Sequence, residues 1–202
     1  MPFLGEFTFK VAEKDERVGA LDLRREVYAV DWPGTPIGKA PVDELDKRAD
    51  LLIALDATGL VLASCRVLGP DQRPFDFEQF VDLSPVVSCD RRPALVGRMC
   101  VRHSHRVVSR KAFLPLGMLK LAHDLARKRG FSDFVMFTFP HLVSLYRSAF
   151  FRPVGITFEH PAYRCQSHVM HLDLLEFRKT HANSVEPFAQ LLLATDLPNV
   201  IV

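Results

Sequence analysis

The feature that most constrains the fold is a change of rhythm near the middle of the chain. Two short apolar runs, 51–56 and 60–68, flank Ala57-Thr58-Gly59. Runs of this kind around a Gly-bearing turn are a hairpin signal. From residue 94 the pattern switches to alternation: a strand at 94–102, a helix at about 113–129, a strand at 131–139 and a helix at 140–150, with further strands at 154–159 and 169–174. Gly130 just past one helix and Pro140 at the start of the next are the usual punctuation. A hairpin makes an antiparallel pair, and a strand–helix–strand crossover makes a parallel one. A chain holding both is expected to be an α/β (α+β) protein, with a mixed central sheet flanked by helices. Ahead of the hairpin the pattern predicts a strand at 6–11, a helix at about 13–30 on Val18, Leu21, Leu23 and Val27, and a loop over 31–41. A short helix near 75–83 follows the hairpin. Residues 1–175 read as one domain and 176–202 as a C-terminal helical extension packing on the body, with Phe188, Leu191 and Leu192 as its apolar positions.

Composition excludes several classes of function. Of 202 residues, 48% are apolar and 25% charged, and the net charge is only +2. That is globular composition, without the cationic excess of a nucleic-acid coat. The longest apolar runs, such as 51–55, are too short for a bilayer, so no stable membrane insertion is expected. Glu6 interrupts the N-terminal stretch, which does not read as a secretory signal, so the expected location is cytoplasmic. Cys65, Cys89, Cys100 and Cys165 are widely spaced and form no C-x-x-C pair, so they read as small buried residues. Cys100-x-x-His103-x-His105 has no evident fourth ligand. His168 and His171 point to opposite faces of a strand. No metal site is expected.

Two arginines fall inside the strands. Period-two alternation puts Leu62, Ser64 and Arg66 on one face of 60–68, with Val61, Ala63, Cys65 and Val67 on the other. In 94–102 it groups Val96, Arg98 and Cys100. A guanidinium on a half-buried sheet face needs an anion, because burying it unpaired is costly. The candidate partners are Asp43 and Asp46, with Glu44 and Asp50 nearby and Arg24 and Arg25 joining from the first helix. This set reads either as a structural ion-pair network or as a binding site.

In order along the chain, Arg24-x-x-x-Tyr28, Trp32, Asp43-x-x-Asp46, Arg66 in C-R-V-L and Arg98 in G-R-M-C-V resemble the motif series of the acyl-homoserine-lactone synthases. Tyr28 stands where that family has Phe, Leu95 where it has a glutamate and Gly97 where it has a serine. The second half is similar to the long-chain N-acyl amino acid synthases, through V-G-R-M-C-V-R with the basic loop after it, L-Y-R-S-A-F-F-R-P-V-G, F-E-H-P-A-Y and H-V-M-H-L-D-L. Both groups share the GNAT-like acyltransferase fold, whose Tyr-x-x-x-Gly-Phe segment is matched around Tyr146 and Phe151, with Phe150 replacing the glycine. The resemblance spans about residues 10–175. It implies an N-acyltransferase that passes a fatty acyl group from a thioester to an amino acid or similar amine. It further implies substrate contacts from Arg24, Tyr28, Trp32, Asp43 and Arg66, and backbone N–H groups at Met99, Cys100 and Val101 facing the thioester oxygen. The catalytic candidates are Arg98, Asp46 and Tyr146, the last as proton donor near the sulfur. Tyr146 also reads as a core aromatic. For the general base, Asp43, Asp46, His103 and His105 stay open.

Residues 102–111 read R-H-S-H-R-V-V-S-R-K. Arg102, Arg106, Arg110 and Lys111 precede a helix N-terminus, itself attractive to anions, and are the candidate contacts for the donor's phosphate. The best register on the coenzyme A turn of the GNAT fold is Arg110-x-x-Phe113-x-Pro115, which has no glycine, and Pro115 has no N–H to donate. An acyl carrier protein presents a single phosphodiester and an acidic surface, which side-chain cations serve well. The expected donor is therefore an acyl-phosphopantetheine thioester, on acyl carrier protein ahead of coenzyme A, with no tightly bound cofactor. Nucleic acid is not expected, because no aromatics interleave the cations. Two alternatives remain: a coenzyme-A-dependent acetyltransferase, and a catalytically silent module binding acyl carrier protein or lipid. The sixteen phenylalanines line an acyl tunnel or form the core.

Overall fold

The computed structural model describes residues 7–106, 114–195 and 197–202. The strands are β1 (Thr8–Val11), β2 (Asp50–Leu55), β3 (Val61–Leu68), β4 (Pro93–Val101), β5 (Asp133–Thr138), β6 (Arg152–His160), β7 (Cys165–Asp173) and β8 (Val200–Ile201). They form one sheet in the order β6-β7-β5-β4-β3-β2-β1-β8. The pairs β4–β5 and β1–β8 are parallel and the others antiparallel, which is the mixed sheet expected. Helices α1 (Glu16–Asp31) and α2 (Pro36–Lys39) cover one face. On the other lie α3 (Leu114–Arg129), α5 (Leu174–His181) and α6 (Pro187–Leu193), while α4 (Val143–Ser148) sits in the β5–β6 connection. In the first turn of α3, Gly117 allows the close approach of the Phe9 ring from β1, where any Cβ would overlap it.

The sequence pattern errs in identifiable places. The loop 31–41 contains α2, whose N-cap Thr35 accepts a hydrogen bond from Gly38 N–H at 3.1 Å. No helix forms over 75–83. That stretch is a series of turns pinned by the buried Phe75 and Phe77. The inward stripe of α1 is Ala20, Leu23, Arg24, Val27 and Tyr28, whereas Val18 is 61% exposed. A hydrophobic count passes over a stripe that carries a buried cation. The chain end adds β8, which needs the free edge of β1 and so leaves no local signal. Lys120, fully buried on α3, donates to Asp124 and to the Ala194 carbonyl, both at 2.6 Å. Among the cysteines, Cys65 and Cys100 are buried as expected, but Cys89 is exposed. No described helix is long and apolar enough to cross a membrane.

Both strand-face assignments are corrected by bulges. In β3, Leu55 pairs with Val61 and Ala54 with Ala63, leaving Leu62 as an extra residue. Val61 therefore packs on the α1 side with Leu68, while Leu62 joins Ala63, Cys65 and Val67 on the α3 side. In β4, Gly97 faces Arg66 and Cys100 faces Ser64, so two residues, Arg98 and Met99, oppose one. Arg98 takes a left-handed conformation with φ 55°. Such a bulge resets the alternation. Val96 lies on the α3 side and Cys100 on the α1 side, not together.

The α3 side also buries a histidine. His123 is edge-on to Phe134 and Phe177, with ring centroids 5.4 and 5.3 Å away. Burial, with Arg178 and Lys120 nearby, pushes its pKa down to about 3. The unfolded imidazole titrates near 6.5. Between those values the unfolded state binds the proton and the folded state does not, so stability falls as pH drops below about 6.5. His123→Phe is expected to flatten that part of a urea-unfolding profile against pH, and an unchanged slope would contradict it.

Candidate active site

The sheet splits between the neighbouring parallel strands β4 and β5. β4 and β5 pair over only Pro93–Asp133, Ala94–Phe134 and Leu95–Val135. Beyond Leu95, β4 stays with β3 up to Val101, and β5 stays with β7 up to Thr138. The facing edges past that point have no strand partner, and on β4 the Val101 carbonyl accepts from Arg106 instead. A cleft of about 820 Å³ fills the gap. On the α3 side it is lined by apolar groups including Leu116, Leu119, Met136 and Phe188, together with Tyr146. On the α1 side it is lined by Tyr28, Trp32, Phe139, Tyr163 and Arg98. It thus passes through the sheet, with one apolar and one polar, aromatic mouth.

Behind the α1-side wall lies a balanced network of three arginines and three aspartates. Asp43-x-x-Asp46 is a capping box on the 3₁₀ turn Glu44–Lys47: Asp43 Oδ1 accepts from Leu45 N–H at 3.0 Å, and Asp46 Oδ2 from Asp43 N–H at 2.9 Å. Arginines take the remaining acceptor sites, with Arg66 sharing Asp43 Oδ1 with Leu45 N–H. Arg24 donates to Asp46 Oδ1 at 2.7 Å, and Arg66 to Asp43 and Asp76, both at 2.7 Å. Arg98 donates to Asp43 Oδ2 at 3.1 Å and to the Tyr163 hydroxyl at 3.0 Å. Arg24 and Arg66 are no more than 1% exposed. Burial pushes the Asp43 carboxyl up, but Arg66, Arg98 and Arg24 together outweigh it and hold it below the ordinary carboxylate range. Arg98 is raised despite its burial, by its tyrosine and aspartate neighbours.

Of the residues singled out from sequence, Tyr28, Trp32, Arg98, Met99, Cys100, Val101, Arg106 and Tyr146 line the cleft. Arg24, Asp43, Asp46 and Arg66 stand behind it in the network. Arg102 lies away from the cleft, with its guanidinium on Glu26 at 2.7 Å and on the Val61 carbonyl. Arg106 lines the cleft but forms a two-point pair with Asp31, at 2.8 and 2.6 Å, and donates to the Val101 carbonyl. Arg110 and Lys111 lie outside the described residues. Three expected partners go elsewhere: Arg25 pairs with Asp22, Glu44 with Lys47 and Asp50 with Arg129. Sequence reasoning missed Asp76 and Tyr163. Asp76 sits among turns with no motif around it, and Tyr163 follows β6 inside F-E-H-P-A-Y, where the only signal was the resemblance.

Burial sets the protonation of the acidic groups in and beside the cleft. Burial raises the Tyr146 phenol well above its ordinary value, so it stays protonated. Burial likewise pushes the Cys65 and Cys100 thiols up to about 12 and about 11. At neutral pH neither thiol is a nucleophile. Phe150, where the GNAT segment has glycine, has φ 69°, a conformation that disfavours a side chain. Its ring is held by Phe177, Phe188 and His181. Among the described residues there is no cluster of three or more potential metal ligands.

No protein-family model matches the sequence, and neither does any curated protein. Solved structures do. FeeM, an N-acyl amino acid synthase from uncultured soil microbes, superposes with TM-score 0.70 at 12% identity, covering 86% of this chain and 93% of that one. BjaI, a coenzyme-A-dependent acyl-homoserine lactone synthase, gives 0.69 at 15%, covering 97% and 92%. An acyl-CoA N-acyltransferase from Pseudomonas aeruginosa gives 0.58 at 20%, covering 82% and 97%. The match in architecture, with a mixed sheet flanked by helices, shows that the chain has the GNAT acyltransferase fold shared by these synthases.

Proposed function

We propose that the chain is an N-acyltransferase moving a fatty acyl group from an acyl-phosphopantetheine thioester to the amine of an amino acid or similar acceptor. The observation that carries this reading is the cleft through the split sheet. Its apolar mouth on the α3 side suits an acyl chain and its arm, and its polar mouth on the α1 side suits a small amine. The two substrates then meet at the β4 bulge. Open backbone N–H groups around Met99, Cys100 and Val101 would stabilise the tetrahedral oxyanion. Tyr146 would protonate the leaving sulfur. Arg98 would hold the acceptor's polar end, with Tyr28 and Trp32 as walls. Arg24, Arg66, Asp43 and Asp46 act behind it as positioning residues. The structures that match include transferases titled for N-acyl amino acids, homoserine lactones and acyl-CoA, which supports acyl transfer without distinguishing the donor.

For the donor, acyl carrier protein is favoured over coenzyme A. Pro115, the second residue of α3, lines the cleft and offers no N–H to a pyrophosphate. An alternative, a short-chain coenzyme-A-dependent acetyltransferase, differs in its chain-length dependence. The test begins with mass spectrometry of lipid extracts from an expressing host, where new N-acyl amino acids are expected and none would overturn the reading. Purified protein is then given carrier-protein and coenzyme A thioesters of equal length. Donors of about twelve carbons should outperform acetyl, since each buried CH₂ contributes about 0.8 kcal/mol. The carrier-protein form should give the higher kcat/KM. Equal use of coenzyme A would sink the donor assignment, and a flat chain-length dependence would favour the acetyltransferase.

A further inference from the structure

Acyl transfer to an amine leaves a proton that needs a destination, and the wall of the cleft can be searched for it. Asp43 and Asp46 lie behind the wall, each bound to arginines and backbone N–H groups. Asp31 lines the cleft, but Arg106 occupies both its oxygens and His103 adds a third contact at 3.0 Å. Although burial pushes Asp31 up, those two neighbours hold it below the ordinary carboxylate range. Glu186 caps α6 by accepting from Phe188 and Ala189 N–H. The Tyr163 hydroxyl accepts from Arg98, and the Cys100 thiol and the Tyr28 and Tyr146 phenols keep their protons. His103 and His105 do not line the cleft.

His141 does. It sits on the 3₁₀ turn Pro140–Leu142, between β5 and α4, and among the described residues it has no hydrogen bond or ion pair. Its ring stacks on Phe139, with centroids 6.1 Å apart and planes at 13°. Phe139 in turn packs on Trp32 at 4.7 Å and on Tyr163 at 5.1 Å, and the Tyr163 hydroxyl holds Arg98. His141 is therefore placed at the polar mouth, on the same β5–β6 connection that carries Tyr146 to the apolar side. Imidazole is the side chain whose ordinary titration falls between pH 5 and 8.

We infer that His141 is the general base for the acceptor amine, a role that rests on the acyltransferase reading. The amine lone pair attacks the thioester carbonyl carbon, and the amine proton passes to an imidazole nitrogen of His141. As the intermediate collapses, the C–S bond breaks with its electron pair on sulfur, which takes the Tyr146 hydroxyl proton. Tyr146 is reprotonated from water and His141 returns its proton to water. The balance is amine plus thioester to amide plus thiol, with no further reactant.

The test compares the wild-type protein with His141→Gln. The donor is a dodecanoyl carrier-protein thioester and the acceptor an equimolar mixture of the twenty amino acids, with amides read by mass spectrometry. The variant is expected to lose about 100-fold or more in kcat, with donor KM and melting temperature unchanged. The kcat limb between pH 5 and 8 should disappear, and added imidazole should restore part of the rate. Methoxyamine, unprotonated at neutral pH, still has an N–H proton to lose on attack and should also be acylated more slowly by the variant. The charged groups that line the same cleft, Asp31, Arg106, Arg98 and Glu186, are unaltered in the variant. Wild-type kcat and pH profile in His141→Gln would overturn the assignment. Failure of the wild-type protein to acylate any amine, methoxyamine included, would instead overturn the acyltransferase reading and the base with it.

Discussion

Asp46→Ala is expected to lower the unfolding free energy by about 3–5 kcal/mol, the scale for removing one partner of a buried ion pair. Arg24, fully buried on α1, would be left with a guanidinium and no carboxylate, and the Asp43–Asp46 capping box would open. Urea unfolding of the variant and of Arg24→Met, with the double variant, gives the coupling between the two sites. A loss below about 1 kcal/mol for Asp46→Ala would show that the network is not an anchor of the fold. The network also sets an acid limit. Asp43 has a lowered folded-state pKa, so its contribution is complete above the ordinary aspartate value of about 3.9. It is lost as pH falls from there through the lowered folded value.

Tyr146→Phe should reduce kcat about 100-fold at neutral pH, with donor KM unchanged. The ring keeps its edge-on contact with Phe151, 6.0 Å between centroids, so stability should hold. Only the hydroxyl is removed, and with it the proton for the leaving sulfur. The control is the leaving group. With an aryl thioester, whose thiolate leaves without protonation, the variant should approach the wild-type rate. A wild-type kcat with the ordinary thioester would mean that Tyr146 is a core aromatic and no more. Loss with both thioesters alike would mean that the hydroxyl positions the donor.

The order of strands and helices was legible because it depends on local patterns: the hairpin turn at Ala57–Gly59, Gly130 past α3 and Pro140 ahead of α4. The arginine–aspartate set was legible for a similar reason. A guanidinium inside an apolar strand demands an anion wherever the strand goes, and Asp43-x-x-Asp46 was near enough in sequence to be named. What the sequence could not determine by itself is which way those side chains face. A bulge adds a residue to one strand relative to its neighbour, so it depends on a pairing partner far along the chain. Two bulges exchanged Val61 with Leu62 and separated Val96 from Cys100. The charges of the basic loop were visible, but their partners were not: Glu26 and Asp31 lie on α1, and only packing brings that helix to Arg102 and Arg106. Asp76, Tyr163 and His141 carry no spacing signal at all. Tyr163 and His141 meet at the cleft, with Asp76 behind it on Arg66, because β4 and β5 part after three pairs, and that separation is set by the tertiary sheet. Local chemistry thus determined the elements and the need for an anion, while long-range pairing decided where the cleft opens and which side chains face it.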